Sequence, residues 1–265
     1  MLSVNTNMNS LVAQNNLQSS QSRMNNALQR LSTGLQINSA ADNPAGLVTS
    51  SLENAQISGL QQSIQNIQTG SALVQTADSS LSNINDLLVQ VRNLAANSAN
   101  TATQSTASLA ANQANAAALL SSIDNIATTT KFGTVALLDG TFSAAQFQTG
   151  AFSGQTASLT ITKSDSTTLG VNAIDITTAA GATAALTAID AAISTVASSR
   201  GGLGAFMAGT LTATQNNNQA QLTNLQQAKS IVTDTNYQTE IANYTSENIR
   251  QQAASTVLGM ANQSN

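Results

Sequence analysis

Apolar residues recur along most of this chain at alternating intervals of three and four. The clearest run follows Gly70: Val74, Ala77, Leu81, Ile84, Leu88, Val91 and Ala95 step three and four without a break. That is a coiled-coil seam sustained over three heptads. Upstream, Ile57, Leu60, Ile64 and Ile67 step three, four and three. The spacing therefore predicts one helix over about 44–98, with Leu81, Ile84, Leu88 and Val91 at the heart of its seam. Such a helix would span about 80 Å at 1.5 Å per residue, a rod and not part of a ball.

Weaker helical patterns flank it. Over about 6–33, Leu17, Met24, Leu28, Leu31 and Leu35 recur at seven, four, three and four, and Gly34 then weakens the helix. Over about 104–129, Leu109, Ala116, Leu119, Ile123 and Ile126 repeat the pattern, with polar Asn112 at the skipped position. The polar "NSANTATQS" before it reads as a turn, so this helix runs back along the second.

The middle changes period. "FGTVALLDGTF" carries turn residues at Gly133, Asp139 and Gly140. In "FQTGAFSGQTASLTIT", Leu159 and Ile161 alternate with Thr160 and Thr162, the period of a strand. "VNAIDIT", with Val171, Ala173, Ile174 and Ile176, alternates less cleanly. These stretches predict β-hairpins within about 134–177. Helical spacing returns with Leu186, Ile189, Ile193 and Val196 and continues through Leu211, Leu222, Leu225 and Val232. "SRGGLG" is a weak point within it, since each Gly costs about 1 kcal/mol against Ala. A last helix follows "TDTN", with Asp234 or Thr235 as its N-cap. It carries Ile241, Tyr244, Ile249, Ala253 and Val257.

Composition narrows the chemistry. Of 265 residues only 8 % are charged, with a net charge of −4; an ordinary domain is about a quarter charged. Asn, Gln, Ser and Thr take the place of charges, leaving little repulsion between copies. The 41 % hydrophobic fraction and its periodicity argue against disorder. His and Cys are absent, which excludes Ser-His and Cys-His nucleophile pairs, His- or Cys-based zinc sites and disulfides. Eight scattered Lys and Arg form no basic patch for nucleic acid. Asp139, Asp165 and Asp175 lie among turns and read as solvated loop carboxylates. No cofactor or metal site is indicated. The longest apolar runs, such as "AAALL", are too short to span a bilayer. "MLSVNTNMNSLVAQNN" lacks the basic region and apolar run of a secretory signal. The chain is expected in the cytosol, or outside the cell by a route without a cleaved signal.

The two ends complement each other. Residues 1–41 carry Arg23 and Arg30 and no acid, and residues 233–265 carry Asp234, Glu240 and Glu247 against Arg250. Neither terminal helix is stable alone, because one apolar stripe needs a partner. The two pack against each other or against further copies. The ends therefore meet, with the β region at the far tip. Between the first two helices stands the only proline, Pro44, after Asn43. Asn43 suits an N-cap and Pro44 the first helical position, where its missing N–H costs nothing.

The chain resembles bacterial flagellin. The likeness rests on "NMNSLVAQNNLQSSQSRMNNALQRLSTGLQINSAADNPAGL", "GLQQSIQNIQTGSALVQTADSSLSNINDLLVQVRNLA" and "SSIDNIATTTKFGTVALLDG" in the N-terminal half. "AIDAAISTVASSRGGLGAF" and "AKSIVTDTNYQTEIANYTSENIRQQAASTVLGMANQ" carry it in the C-terminal half. The resemblance implies a mainly α fold: a long antiparallel, coiled-coil-like rod from both ends of the chain, with a small β-hairpin region in the middle. It implies a non-enzymatic filament subunit, exported unfolded through the flagellar type III apparatus and polymerised into a helical tube for motility. Its place is then extracellular, on the bacterial flagellum. A hook–filament junction protein of the same superfamily is the alternative. An adhesin of helical-rod type would instead remain a monomer.

On this resemblance residues 1–43 are a filament-core helix and spoke, the spoke at Asn43 and Pro44, and 44–140 are rod helices and a turn. Residues 141–177 are a short variable region, 178–232 a rod helix and 233–265 the second filament-core helix. Self-assembly falls to Leu17, Met24, Leu28, Leu31, Ile241, Tyr244, Ile249 and Val257. Partners are copies of itself, with an export chaperone, cap and junction proteins. The segment "LLVQVRNLAANSAN" resembles the region read by the vertebrate Toll-like receptor for flagellin. Arg92 and Leu94 match, whereas Gln90 and Asn93 replace charged residues, which implies weak recognition. Flagellins usually continue past "ANQ" to a leucine-rich end, whereas this sequence ends "MANQSN"; Gly201 and Gly202 depart from the common pattern and imply a softer helix.

Overall fold

The computed structural model describes residues 7–100 and 102–263. The predicted first helical residue, Thr6, the turn residue Thr101 and the last two residues lie outside them. The described chain is mainly α. Helices α1 (Met8–Thr33), α2 (Pro44–Ala99) and α3 (Thr106–Thr129) precede hairpins β1–β2 (Lys131–Phe132, Val135–Ala136) and β3–β4 (Ala145–Gln148, Thr156–Leu159). Then come α4 (Ala179–Ala205), a π-helical stretch (Phe206–Thr212), α5 (Ala213–Thr233) and α6 (Tyr237–Gln263). Contacts divide the chain into two compact units, Met1–Ile57 with Leu222–Asn265, and Ser58–Gln221.

The Ser58–Gln221 unit is built on one face of α2. Leu60, Ser63, Ile67, Gly70, Val74, Ala77, Leu81, Ile84, Leu88, Val91, Ala95 and Ser98 are all buried, alternating three and four from end to end. Leu81, Ile84, Leu88 and Val91 are each fully covered. Periodicity of apolar residues alone misses Ser63, Gly70 and Ser98, which occupy seam positions for other reasons. Ser63 accepts a hydrogen bond from Asn218 Nδ2 at 2.7 Å, and Ser98 one from Asn112 Nδ2 at 3.0 Å. At Gly70 an added Cβ would lie 3.1 Å from the ring of Phe147, so the absent side chain lets the β3–β4 hairpin close on the helix.

Helix α4 runs antiparallel to α2 within this unit, fixed by Arg92–Asp190 at 2.6 Å and Arg200–Asp78 at 2.8 Å. Its buried stripe is Ala182, Ala185, Ile189, Ala192, Val196 and Leu203. The predicted Leu186 and Ile193 are half-buried beside it, because small residues let the helices approach and larger neighbours cover the flank. On α3 the predicted Leu109, Ala116 and Ile123 are buried, and the other buried positions are Leu120 and Ala127, one residue beyond the predicted Leu119 and Ile126. The "SRGGLG" stretch does not break the helix; the irregularity falls after it, in the π stretch.

The two hairpins are antiparallel, Ala145 facing Leu159 and Lys131 facing Ala136. The first begins a little before the predicted β region. The alternating burial of β4 continues beyond its last strand residue to Ile161, whose N–H donates to Phe142 O at 2.9 Å. The expected strand at "VNAIDIT" is absent. Val171 and Ile176 are buried, but the backbone is pinned by a side chain. Gln113 donates to Ile174 O at 3.0 Å and accepts from Ile176 N–H at 2.8 Å. One glutamine thus takes the place of a partner strand.

By length and composition Ala179–Thr233 is apolar enough to cross a membrane, its best window reaching a mean hydropathy of 1.4. This window is longer than any contiguous apolar run of the sequence. The value comes largely from alanine, and the stripe from Ala182 to Leu203 belongs to the core.

Replacing Ile84 by Ala removes a fully buried side chain from the middle of the seam and is expected to cost about 2–5 kcal/mol. Val89→Ala, at an exposed position on the same helix, is expected to cost under about 0.5 kcal/mol. Urea unfolding of both variants checks the difference.

Candidate assembly interface

The Met1–Ile57 and Leu222–Asn265 unit is centred on α1 and α6, which pack antiparallel. Asn7 side chain, N-cap of α1, donates to Ala261 O at 2.8 Å, and Tyr237 OH donates to Leu31 O at 3.1 Å at the other end. Between them Gln21 and Gln251 join side chain to side chain. The face of α1 turned inward is Ala13, Leu17, Ser20, Met24, Ala27 and Leu31, with the alanines and the serine deepest. On α6 it is Glu240, Tyr244, Glu247, Gln251, Ala254, Leu258 and Ala261, again at four and three. This seam keeps the helical period, with small and polar residues at its deepest positions and Leu17, Met24, Leu31, Tyr244 and Leu258 half-buried between them.

Its centre is Glu247, which is buried. Ser20 Oγ donates to Glu247 Oε2 at 2.7 Å. Arg23 and Arg250 reach its Oε1 at 3.2 and 3.0 Å. The Ser20 hydrogen bond first, then the charges of Arg23 and Arg250, hold the carboxyl below the ordinary glutamate value, against the opposing effect of burial. The expected charge complementarity between the chain's ends therefore takes a definite form, two arginines from different helices on one acid. An open polar groove of about 420 Å³ runs alongside, lined among others by Arg23, Arg30, Glu240 and Glu247.

The segments outside the helix pair are joined as well. Gly34 ends α1 with φ at +74°, a left-handed conformation that suits glycine. Its carbonyl accepts from Thr235 N–H at 2.9 Å, and Gln36 N–H donates to Thr233 O at 2.7 Å. Leu35 and Asp234 thus form a β-bridge where the chain leaves α1 and where it enters α6. Asn43 Oδ1 accepts from Gly46 N–H at 2.9 Å, so Asn43 caps α2 and Pro44 is its first residue, as the sequence predicts. Asn236, not Asp234 or Thr235, caps α6: its side chain accepts from Gln238 and Thr239 N–H at 3.1 and 3.2 Å. Asp234 instead accepts from Ser230 Oγ at 2.5 Å.

The large apolar side chains of this unit lie mostly outside the seam. Met8, Leu11, Val12, Leu28 and Leu35 are exposed on and just beyond α1. On α6, Ile241, Ile249, Val257 and Met260 are 50–61 % exposed. Of the eight residues predicted to drive assembly, Leu17, Met24, Leu31 and Tyr244 are half-buried along the seam. Leu28, Ile241, Ile249 and Val257 lie off it, because Ala27, Glu240 and Glu247 hold the inward positions. Ile241, Ile249 and Val257 step by eight, about 80° each, so they spread over the outward side of α6; apolar chains left exposed in this way suit packing against further chains.

Comparison with known proteins settles what kind of molecule carries this surface. The family described as bacterial flagellin N-terminal helical region matches residues 4–143, and the one described as bacterial flagellin C-terminal helical region matches residues 186–265.

The chain belongs to the bacterial flagellin family.

It is a structural subunit of the flagellar filament. It is 36 % identical to a flagellin of Halalkalibacterium halodurans and 34 % identical to one of Bacillus subtilis. Each likeness covers 98 % of this chain and 96 % of the relative. In structure it is similar to the crystal structure of Bacillus cereus flagellin, with a TM-score of 0.53 at 25 % identity, over 58 % of this chain and 88 % of that one. The reading as a hook–filament junction protein is not favoured.

The segment compared with the receptor-read region lies on α2 in the other unit. Gln90 and Arg92 are exposed and Leu94 is half-buried. Arg92 is engaged by Asp190, and Gln90, Asn93 and Leu94 line an amide-rich groove of about 680 Å³ with Asn97, Asn112, Asn115 and Leu119.

Because the folded state holds Glu247 below the ordinary value of 4.5, its contribution is fully present above that value and is lost as pH falls through the folded one. The α1–α6 pair is therefore expected to loosen below about pH 4.5, and Glu247→Gln to flatten that dependence. Hydrogen exchange of residues 8–33 across the pH range checks it.

Proposed function

We propose that copies polymerise through the outward apolar face of the α1–α6 pair. The observation that carries this reading is the depth pattern of the pair: Ala13, Ser20, Ala27, Glu240 and Glu247 are its buried positions, while Leu28, Ile241, Ile249 and Val257 stay exposed. Burying one such side chain between subunits contributes roughly 1.5–3 kcal/mol. An isolated copy gains none of it. The seam gives the pair enough shape to present these exposed side chains, while the larger gain waits for neighbours. Low surface charge lowers the repulsion that assembly must overcome.

On this reading residues 1–43 and 233–265 are the filament core, with Asn43 and Pro44 at the spoke. Residues 44–140 and 178–232, with the α2 seam at Leu81, Ile84, Leu88 and Val91, are the rod, and 141–177 the outer hairpin region. The polymer is extracellular and reached by export without a cleaved signal, with a chaperone, cap and junction proteins as partners by family likeness.

Replacing Ile241, Ile249 and Val257 together by Ser is expected to abolish filaments, while the melting of the Ser58–Gln221 unit stays unchanged. Sedimentation and electron microscopy of the purified chain decide it; normal filaments from the triple variant refute the reading. For the innate receptor, Gln90 and Asn93 stand where charged contacts would strengthen binding. The chain is expected to be a poor agonist in a cell reporter assay, and Gln90→Arg with Asn93→Glu to raise its potency.

A further inference from the structure

The buried stripe of the long C-terminal rod helix changes step once. Val196 to Leu203 is seven residues, Leu203 to Leu211 is eight, and Leu211 to Asn218 is seven again. In an α-helix a residue eight positions on sits about 80° away from the starting face. Leu211 is nevertheless fully buried. The surplus residue is taken up by the π stretch Phe206–Thr212, whose wider turn closes five residues apart. Thr212 Oγ1 donates to Met207 O, five residues back, at 2.9 Å.

The β3–β4 hairpin engages this stretch at both ends. Phe147 packs against Phe206 with ring centroids 6.2 Å apart, tilted by 47°. Phe147 also covers Gly70 of α2, and Leu211 approaches the same point. Beyond the π stretch, Asn218 Nδ2 donates to Thr149 O of the hairpin loop and to Ser63 Oγ of α2, both at 2.7 Å. Asn66 of α2 donates to Gln148 O at 3.3 Å. Phe206 and Leu211 are five apart; an α-helix would set them about 140° apart, and a π turn brings them onto one side.

We propose that the hairpin is a wedge that holds one surplus residue in the helix, so that hairpin docking and helix register beyond Phe206 form a single two-state equilibrium. With the hairpin docked, Phe147 fills the widened turn and Asn218 reaches both partners. With the hairpin lifted, the stretch relaxes to α geometry. Asn218 then turns by about 100°, the angle of one residue, and leaves Ser63. The device lies wholly within the Ser58–Gln221 unit and does not depend on the polymerisation reading.

Hydrogen exchange on the full chain tests it. In Phe147→Ala, residues 145–159 and 206–218 are expected to gain exchange together, by on the order of tenfold or more, while 182–203 stay at the wild-type rate. Faster exchange of the hairpin alone, with 206–218 unchanged, overturns the proposal. Deletion of Gly209, exposed within the π stretch, provides the second arm. It removes the surplus residue, so the chain is expected to melt near the wild-type temperature and Phe147→Ala to stop affecting 206–218. Deletion of Ala197, equally exposed on α4, puts the stripe out of phase and is expected to lower Tm by roughly 5 °C or more. Equal losses from the two deletions overturn the proposal, and this comparison decides the matter if Phe147→Ala fails to fold.

Discussion

The continuous buried face of α2 is the constraint on which the Ser58–Gln221 unit depends. An α-helix turns 100° per residue, so a face stays in line over eleven turns only when its positions alternate three and four throughout. Leu60 to Ser98 do so without a slip. Everything else in the unit is fitted to that face: α3 and α4 lay shorter stripes on it, and the buried residues of the loops and hairpins join the same core. Where α4 and its continuation would drift off it, the π stretch returns Leu211 to the core. Where a hairpin must close on it, the seam position is Gly70.

The same helical period serves an opposite purpose between α1 and α6. There the deepest positions carry Ala13, Ser20, Ala27, Glu240 and Glu247, the larger seam residues such as Leu17 and Tyr244 are only half-buried, and Ile241, Ile249 and Val257 face outward. A polar seam contributes little burial, so the pair is held by directional contacts on Glu247, Ser20 and the two arginines. A buried carboxylate paired with two arginines costs desolvation even when satisfied. What it confers is register: only one alignment of the helices brings Ser20, Arg23 and Arg250 to one acid. On the proposed reading, a filament subunit built this way keeps its association surface open.

Much of the fold was legible from residue spacing. The α2 seam is apolar at nearly every inward position, so Leu81, Ile84, Leu88 and Val91 could be named directly, and Asn43–Pro44 carried its own helix-start chemistry. Where the inward position is small or polar, a larger apolar neighbour drew the reading aside, as at Ile126 against Ala127; at Leu119 and Leu120 two equal residues compete, and spacing alone picked the shallower one. The same displacement moved the apparent α6 stripe to Ile241 and Ile249. Apolar spacing locates a stripe but does not say whether it meets its own chain or another. The "VNAIDIT" stretch read as a strand because Val171 and Ile176 are apolar and buried, yet Gln113, distant in sequence, supplies the hydrogen bonds a strand would have made.

The sequence by itself determined the helices, their approximate ends, the absence of His and Cys chemistry and the complementarity of the two termini. These follow from local periodicity, capping and composition, which act within a few residues. Tertiary structure decided which face of each helix is inward, the meeting of Arg23 and Arg250 on Glu247, the β-bridge between Leu35 and Asp234, and the π stretch. Each depends on groups brought together from distant parts of the chain, and the steric and electrostatic fit between such groups exists only once the helices have packed.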